Sequence, residues 1–132
     1  FEGATDSAEQ LRLIHRNKTG ALIRCACRMG ALCGNTAAKG MAALTRYGDA
    51  MGLMFQVVDD ILDETQSTEH LGKASGKDRD AGKKTYPGVH GLEESRRTVT
   101  RLLEQACDAI APLGPAADPL RSMADALAVR TR

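Results

Sequence analysis

The spacing of apolar residues predicts a chain that is helical almost throughout. Ala8 to His15 reads as a short helix with Leu11, Ile14 and His15 on one side. Lys18 to Cys33 reads as a second segment, in which Leu22, Ile23, Ala26, Met29, Ala31 and Cys33 recur near the 3.6-residue period. Gly34-Asn35 marks a stop, and Thr36 a weak cap for the next helix. Ala37 to Thr65 is the longest predicted helix, with Met41, Leu44, Ala50, Leu53, Met54, Val57, Val58, Ile61 and Leu62 apolar. Gly40, Gly48 and Gly52 lie inside it, and each costs about 1 kcal/mol against Ala in a helix interior. The four-residue spacing of Gly48 and Gly52 points to the close approach of a neighbouring helix.

Gln66 to Gly88 breaks the pattern and holds Gly72, Gly76, Gly82, Pro87 and Gly88, so a long ordered loop with at most a helical turn is expected. Leu92 to Ile110 resumes as an amphipathic helix. Leu92, Val99, Leu102, Leu103 and Ala106 face inward, and Glu93, Glu94, Arg96, Arg97 and Arg101 face outward. Pro112, Pro115 and Pro119 punctuate a turn, with Pro119 opening a last helix that runs to about Val129. No strand alternation persists, so the expected fold class is all-α.

Composition narrows the function classes. The 132 residues suit one domain or part of one. Aromatics are 3% with no Trp, which argues against base-stacking platforms, and a net charge of +1 argues against a general polyanion binder. No nucleic-acid partner is expected. No apolar run approaches the roughly 20 residues of a membrane span. Cys25, Cys27, Cys33 and Cys107 contain no C-x-x-C pair, and are expected to be reduced, packed thiols of a cytoplasmic protein. The opening Phe1-Glu2-Gly3-Ala4 has no initiator Met and reads as a piece of a longer chain.

Three stretches carry candidate chemistry. F-Q-V-V-D-D-I-L-D-E, Phe55 to Glu64, sets four carboxylates among five apolar residues. Asp59 and Asp63 are i,i+4 and share one helix face with Gln56, and Asp60 lies beside Asp63. Like charges at this spacing repel, and a hard divalent cation such as Mg²⁺ relieves that repulsion. An acidic solvated helix end is the plain alternative. L-G-K-A-S-G-K-D-R-D-A-G-K-K-T-Y-P, Leu71 to Pro87, comes directly after it. Between Lys73 and Lys84 it holds five basic residues against two acidic ones, punctuated by Gly. Metal on the acids and phosphate on the lysines is the simplest pairing; a solvated charged loop is the alternative. Upstream, N-K-T-G, Asn17 to Gly20, would place Lys18 and Thr19 at a helix start, where anions are attracted.

I-H-R-N-K-T-G-A-L-I, F-Q-V-V-D-D-I-L-D and L-G-K…G-K-D…G-K-K-T-Y-P, in this order, resemble the trans-prenyl diphosphate synthases. The chain looks like the C-terminal part of a bacterial farnesyl or geranylgeranyl diphosphate synthase, from about Leu11 onward. The resemblance implies an all-α bundle around a central cavity. It also implies the Mg²⁺-dependent condensation of isopentenyl diphosphate with an allylic diphosphate (dimethylallyl, geranyl or farnesyl), proceeding by ionisation, attack and proton loss. By the same resemblance Asp59, Asp60 and Asp63 hold Mg²⁺, directly or through water. Lys18 and Lys73 contact the allylic diphosphate, and Thr19 and Gln56 stand near the allylic carbon. Lys83 and Asp78 belong to a closing loop, Arg130 closes over isopentenyl diphosphate, and the protein is a homodimer. The family pattern has a first aspartate-rich motif upstream, which this sequence lacks. Residues 1–132 are thus expected to form the C-terminal part of one prenyl synthase domain and to turn over poorly alone. A non-catalytic subunit of a hetero-oligomeric synthase is the alternative.

Overall fold

A computed structural model describes the backbone of residues 3–71 and 85–131, with side chains for 17–67 and 85–131. Its helices are α1 (Gly3–Cys33), α2 (Ala38–Leu71), α3 (Tyr86–His90), α4 (Leu92–Ile110) and α5 (Asp118–Val129), with a 3-10 stretch at Ala111–Ala117. Among the described residues there is no strand.

The first difference from expectation is α1. The predicted break between His15 and Lys18 is absent, and one helix of 31 residues runs through both segments. Lys18 and Thr19 are therefore mid-helix, and no helix N-terminus lies there to attract an anion. Nothing in N-K-T-G forces a break, since one Gly costs a helix interior only about 1 kcal/mol. A Cβ built on Gly52 would sit 2.7 Å from the Cα of Gly20, and one on Gly48 would sit 2.8 Å from the Cα of Arg24. The Gly48–Gly52 spacing does mark a helix–helix contact. The backbone of α1 approaches α2 so closely there that Gly48 and Gly52 have no room for a Cβ.

The turn between α1 and α2 follows from Asn35. Its φ of 49° is left-handed. The Thr36 amide donates to the Ala31 carbonyl and the Asn35 amide to the Leu32 carbonyl, the Schellman pattern that satisfies the last carbonyls. The Met41 amide donates to the Ala37 carbonyl, so Ala37 takes the cap position expected for Thr36. The two helices run antiparallel, with Arg28 donating to Thr45 and Arg24 to Asp49 across their exposed edge.

The core lies between α2 and α4. Met54, Val57, Val58 and Ile61 are 0–1% exposed, and they pack with Val99, Leu102, Ala106 and Ile110 of α4. Fully burying such side chains contributes roughly 1.5–3 kcal/mol each. Leu53 alone among the assigned apolar positions of α2 is exposed, while Tyr47 and Met51, which periodicity does not single out, are buried. The Tyr47 hydroxyl donates to the Leu120 carbonyl at 2.8 Å, tying α2 to α5.

The Leu92–Ile110 helix has the expected bounds and faces. Gly114, at φ 65°, kinks the 3-10 stretch between Pro112 and Pro115. Arg121 fastens that kink by donating to the Gly114 carbonyl and to Asp118. Pro119 is the second residue of α5 rather than its first.

Candidate active site

The acidic stretch sits on α2, past the glycine contact. Gly48, Gly52, Asp59 and Asp63 fall along one stripe of the helix by their spacing. The carboxylates therefore rise from the side of α2 that carries the contact with α1. The opposite side holds Met54, Val57, Val58 and Ile61 in the core, so the helix beneath the carboxylates is firmly packed. Asp59 and Asp63 are exposed, and Gln56 and Asp60 are half-buried.

Asp60 has a distinct position. Its Oδ2 accepts a hydrogen bond from the backbone amide of Tyr86 at 2.8 Å. That amide opens α3, whose cap is Thr85; the Thr85 hydroxyl accepts from the Gly88 amide. The aspartate run thereby fastens the chain where it resumes after the basic stretch. The signal for α3 was present in T-Y-P-G, a capping Thr with Pro in the first turn. The partner of its first amide was not, because Asp60 lies 26 residues away.

Gly20 touches Gly52, which lies four residues before Gln56 and seven before Asp59. The contact sets Lys18 and Thr19 at nearly the height of Gln56 along the hairpin. Side chains lean toward their own helix N-terminus. In an antiparallel pair, Gln56 and Asp59 thus lean down toward Gly52, and Lys18 and Thr19 lean up toward them. Thr19 is half-buried, while Lys18 is exposed on the side of α1 turned away from α2. Arg130 is exposed at the end of α5. The adjacent Thr131 carbonyl accepts from Arg96 near the start of α4, which sets Arg130 at the same end of the bundle as α3 and Asp60. Lys73, Asp78 and Lys83 lie outside the described residues.

The donor chemistry can be tested against Mg²⁺. Among the described residues no three His, Cys, Asp or Glu side chains converge on one point. A closed, all-protein cage does not fit. Asp59 and Asp63 do fit a cation that takes one or two carboxylates and keeps its other positions for water and phosphate oxygens, as Mg²⁺ does.

The cysteines depart from expectation in part. Cys25 and Cys33 are exposed rather than packed, and Cys27 and Cys107 are partly buried; all four are free thiols. Burial pushes the Cys27 thiol up from its ordinary pKa. No helix among the described residues is long and apolar enough to cross a membrane.

The sequence family described as polyprenyl synthetase matches residues 2–112. The chain belongs to that family. Among its relatives, geranylgeranyl pyrophosphate synthase 9 of Arabidopsis thaliana, a chloroplastic protein, is 44% identical over 123 residues, covering 92% of this chain and 34% of its own length. A Bradyrhizobium diazoefficiens protein described as a farnesyl diphosphate synthase is 45% identical over 119 residues, covering 87% of this chain and 36% of its own. A crystal structure from a Marinomonas species, described as a candidate farnesyl-diphosphate synthase, superposes with a TM-score of 0.70 at 36% identity. It covers 91% of this chain and 39% of that one. The chain thus spans about a third of the length of the polyprenyl synthetases it matches, and its all-α fold is that of the family.

Proposed function

We propose that this chain is the C-terminal part of a prenyl synthase domain, and that the whole protein condenses isopentenyl diphosphate with an allylic diphosphate to give a fifteen- or twenty-carbon prenyl diphosphate. The observation that carries this reading is the Gln56–Asp59–Asp63 face on a core-anchored helix, with Thr19 of α1 near the height of Gln56, in a polyprenyl synthetase chain.

The allylic carbon–oxygen bond breaks and the electron pair leaves with diphosphate. The alkene of isopentenyl diphosphate attacks the allylic cation, and a proton is then lost from the new chain. A lysine ammonium set against the negative charge that grows on the departing diphosphate lowers the barrier most there; the family resemblance gives that part to Lys18, which α1 presents on its side away from α2. Lys73 and Lys83 belong to the same task in this reading. The Thr19 hydroxyl and the Gln56 side-chain carbonyl turn oxygen dipoles toward the cation. Asp59 and Asp63 are the residues that would hold Mg²⁺, which when bound supplies further positive charge to the leaving diphosphate. Asp60 contributes through the Tyr86 amide, and Arg130 takes the isopentenyl diphosphate. A homodimer and a reducing, cytoplasmic compartment complete the reading, and the four free thiols accord with such a compartment.

The test is to incubate the uninterrupted polypeptide with isopentenyl and dimethylallyl diphosphates, with and without Mg²⁺, and to determine product chain length. Mg²⁺-dependent product is expected, lost by several orders of magnitude in Asp59→Ala with the fold intact. Folded protein that yields no product would favour a non-catalytic subunit instead.

A further inference from the structure

We propose that the aspartate run of α2 is divided: Asp59 and Asp63 hold the cation, while Asp60 is a positioning residue that anchors α3 and takes no part in holding the cation. At 3.6 residues per turn Asp60 lies about 100° around α2 from Asp59 and about 60° from Asp63. Those two are exposed, whereas Asp60 is half-buried. Its Oδ2 accepts from the Tyr86 amide at 2.8 Å. A carboxylate that accepts from an amide at a helix start makes a charge-assisted bond, shorter and stronger than a neutral one. Among the described residues Asp59, Asp60 and Asp63 do not come together as three ligands.

The anchor has a task that local structure does not perform. α3 has five residues, and so short a helix is not stable in water on its own. It is held from outside at each end. At the far end the Gly91 amide donates to the Pro87 carbonyl, and the Gly91 carbonyl accepts from both the amide and the hydroxyl of Ser95. Ser95 is 0% exposed, so this end is fixed to the buried side of α4. At the near end the Thr85 hydroxyl accepts from the Gly88 amide, a bond within the turn itself. The Tyr86 ring packs against the core, and the bond to Asp60 fixes the backbone beneath it to α2. The chain that follows the basic stretch therefore starts from a point set by α2, one residue along from Asp59. A cation that drew Asp60 away would release that point. The anchor stands on this geometry alone, and only its separation from the cation rests on the prenyl synthase proposal.

The experiment uses the uninterrupted polypeptide, with Mn²⁺ as a paramagnetic substitute for Mg²⁺ and inorganic pyrophosphate present. Electron paramagnetic resonance reads free Mn²⁺, and hydrogen exchange reads the Tyr86 amide. Losing a ligand, or a partner that supports one, costs roughly 10–100-fold in metal affinity, and Asp59→Asn is expected in that range. Asp60→Asn is expected to bind Mn²⁺ within about three-fold of the wild type, the effect of removing one nearby, screened charge. Exchange at Tyr86 is expected to quicken about ten-fold or more in Asp60→Ala, and less in Asp60→Asn, whose side-chain oxygen still accepts. Turnover lost in Asp60→Ala should be regained in part by Asp60→Asn, and not by raising Mg²⁺. Mn²⁺ binding weakened as far by Asp60→Asn as by Asp59→Asn would overturn the proposal. Exchange at Tyr86 unmoved by Asp60→Ala would overturn it as well. A wild type that binds no Mn²⁺ would sink the division together with the prenyl synthase proposal, and exchange at Tyr86 would still decide the anchor.

Discussion

Gly20 and Gly52 meet at one contact, yet they should respond oppositely to a methyl group. Both lie within long helices, so replacing either with Ala contributes about 1 kcal/mol of helix propensity. At Gly20 the added Cβ has the Gly52 Cα at 4.0 Å, an ordinary contact. At Gly52 the Cβ would lie 2.7 Å from the Gly20 Cα and 3.3 Å from its carbonyl oxygen. Those atoms are backbone and cannot rotate aside, so the helices must separate. Overpacking of this kind costs about 1–3 kcal/mol. Gly20→Ala is therefore expected to stabilise by about 1 kcal/mol, and Gly52→Ala to fall about 1–3 kcal/mol below it. Guanidinium titrations followed by far-ultraviolet circular dichroism read this directly, as a difference in midpoint at unchanged slope. Equal stabilisation by the two substitutions would refute the backbone contact and the height it assigns to Lys18 and Thr19.

Other outcomes depend on single contacts. Asp60→Ala should remove the partner of the Tyr86 amide at a cost of roughly 1.5–3 kcal/mol, while Asp60→Asn keeps an acceptor and loses less. Hydrogen exchange at Tyr86 would report both, and unchanged protection in Asp60→Ala would count against the bond. Burial pushes the Tyr47 phenol up to about 12. Its folded pKa exceeds the unfolded value near 10, so the contribution is complete below pH 10 and is lost as pH rises toward 12, by at most about 3 kcal/mol. Stability measured from pH 9 to 12 should show that decline in the wild type and less of it in Tyr47→Phe.

Periodicity located the amphipathic helix from Leu92 to Ile110 because one face of it meets the core and the other meets water. It misjudged α1, where two apolar faces overlap in the count; only the packing on α2 shows that Ile23, Cys27 and Ala31 form one face and Leu22, Met29 and Leu32 another. N-K-T-G likewise reads as the start of a helix, where the structure has the middle of one. A single Gly costs a helix about 1 kcal/mol, too little to end one whose packing on α2 runs on through Gly20 and Arg24.

The candidate chemistry divides along the same line. The sequence by itself determined that α2 carries Gln56, Asp59 and Asp63 on one face, because helix geometry converts a three- and four-residue spacing into a shared surface. It also carried the likeness to the polyprenyl synthetases, since the order of motifs is a property of the chain. The tertiary structure alone decided that Lys18 and Thr19 stand near the height of Gln56, and that Asp60 turns to the Tyr86 amide. Both depend on residues more than twenty positions apart, brought together by burying α2 against α1 and α4, and no local pattern encodes such a distance.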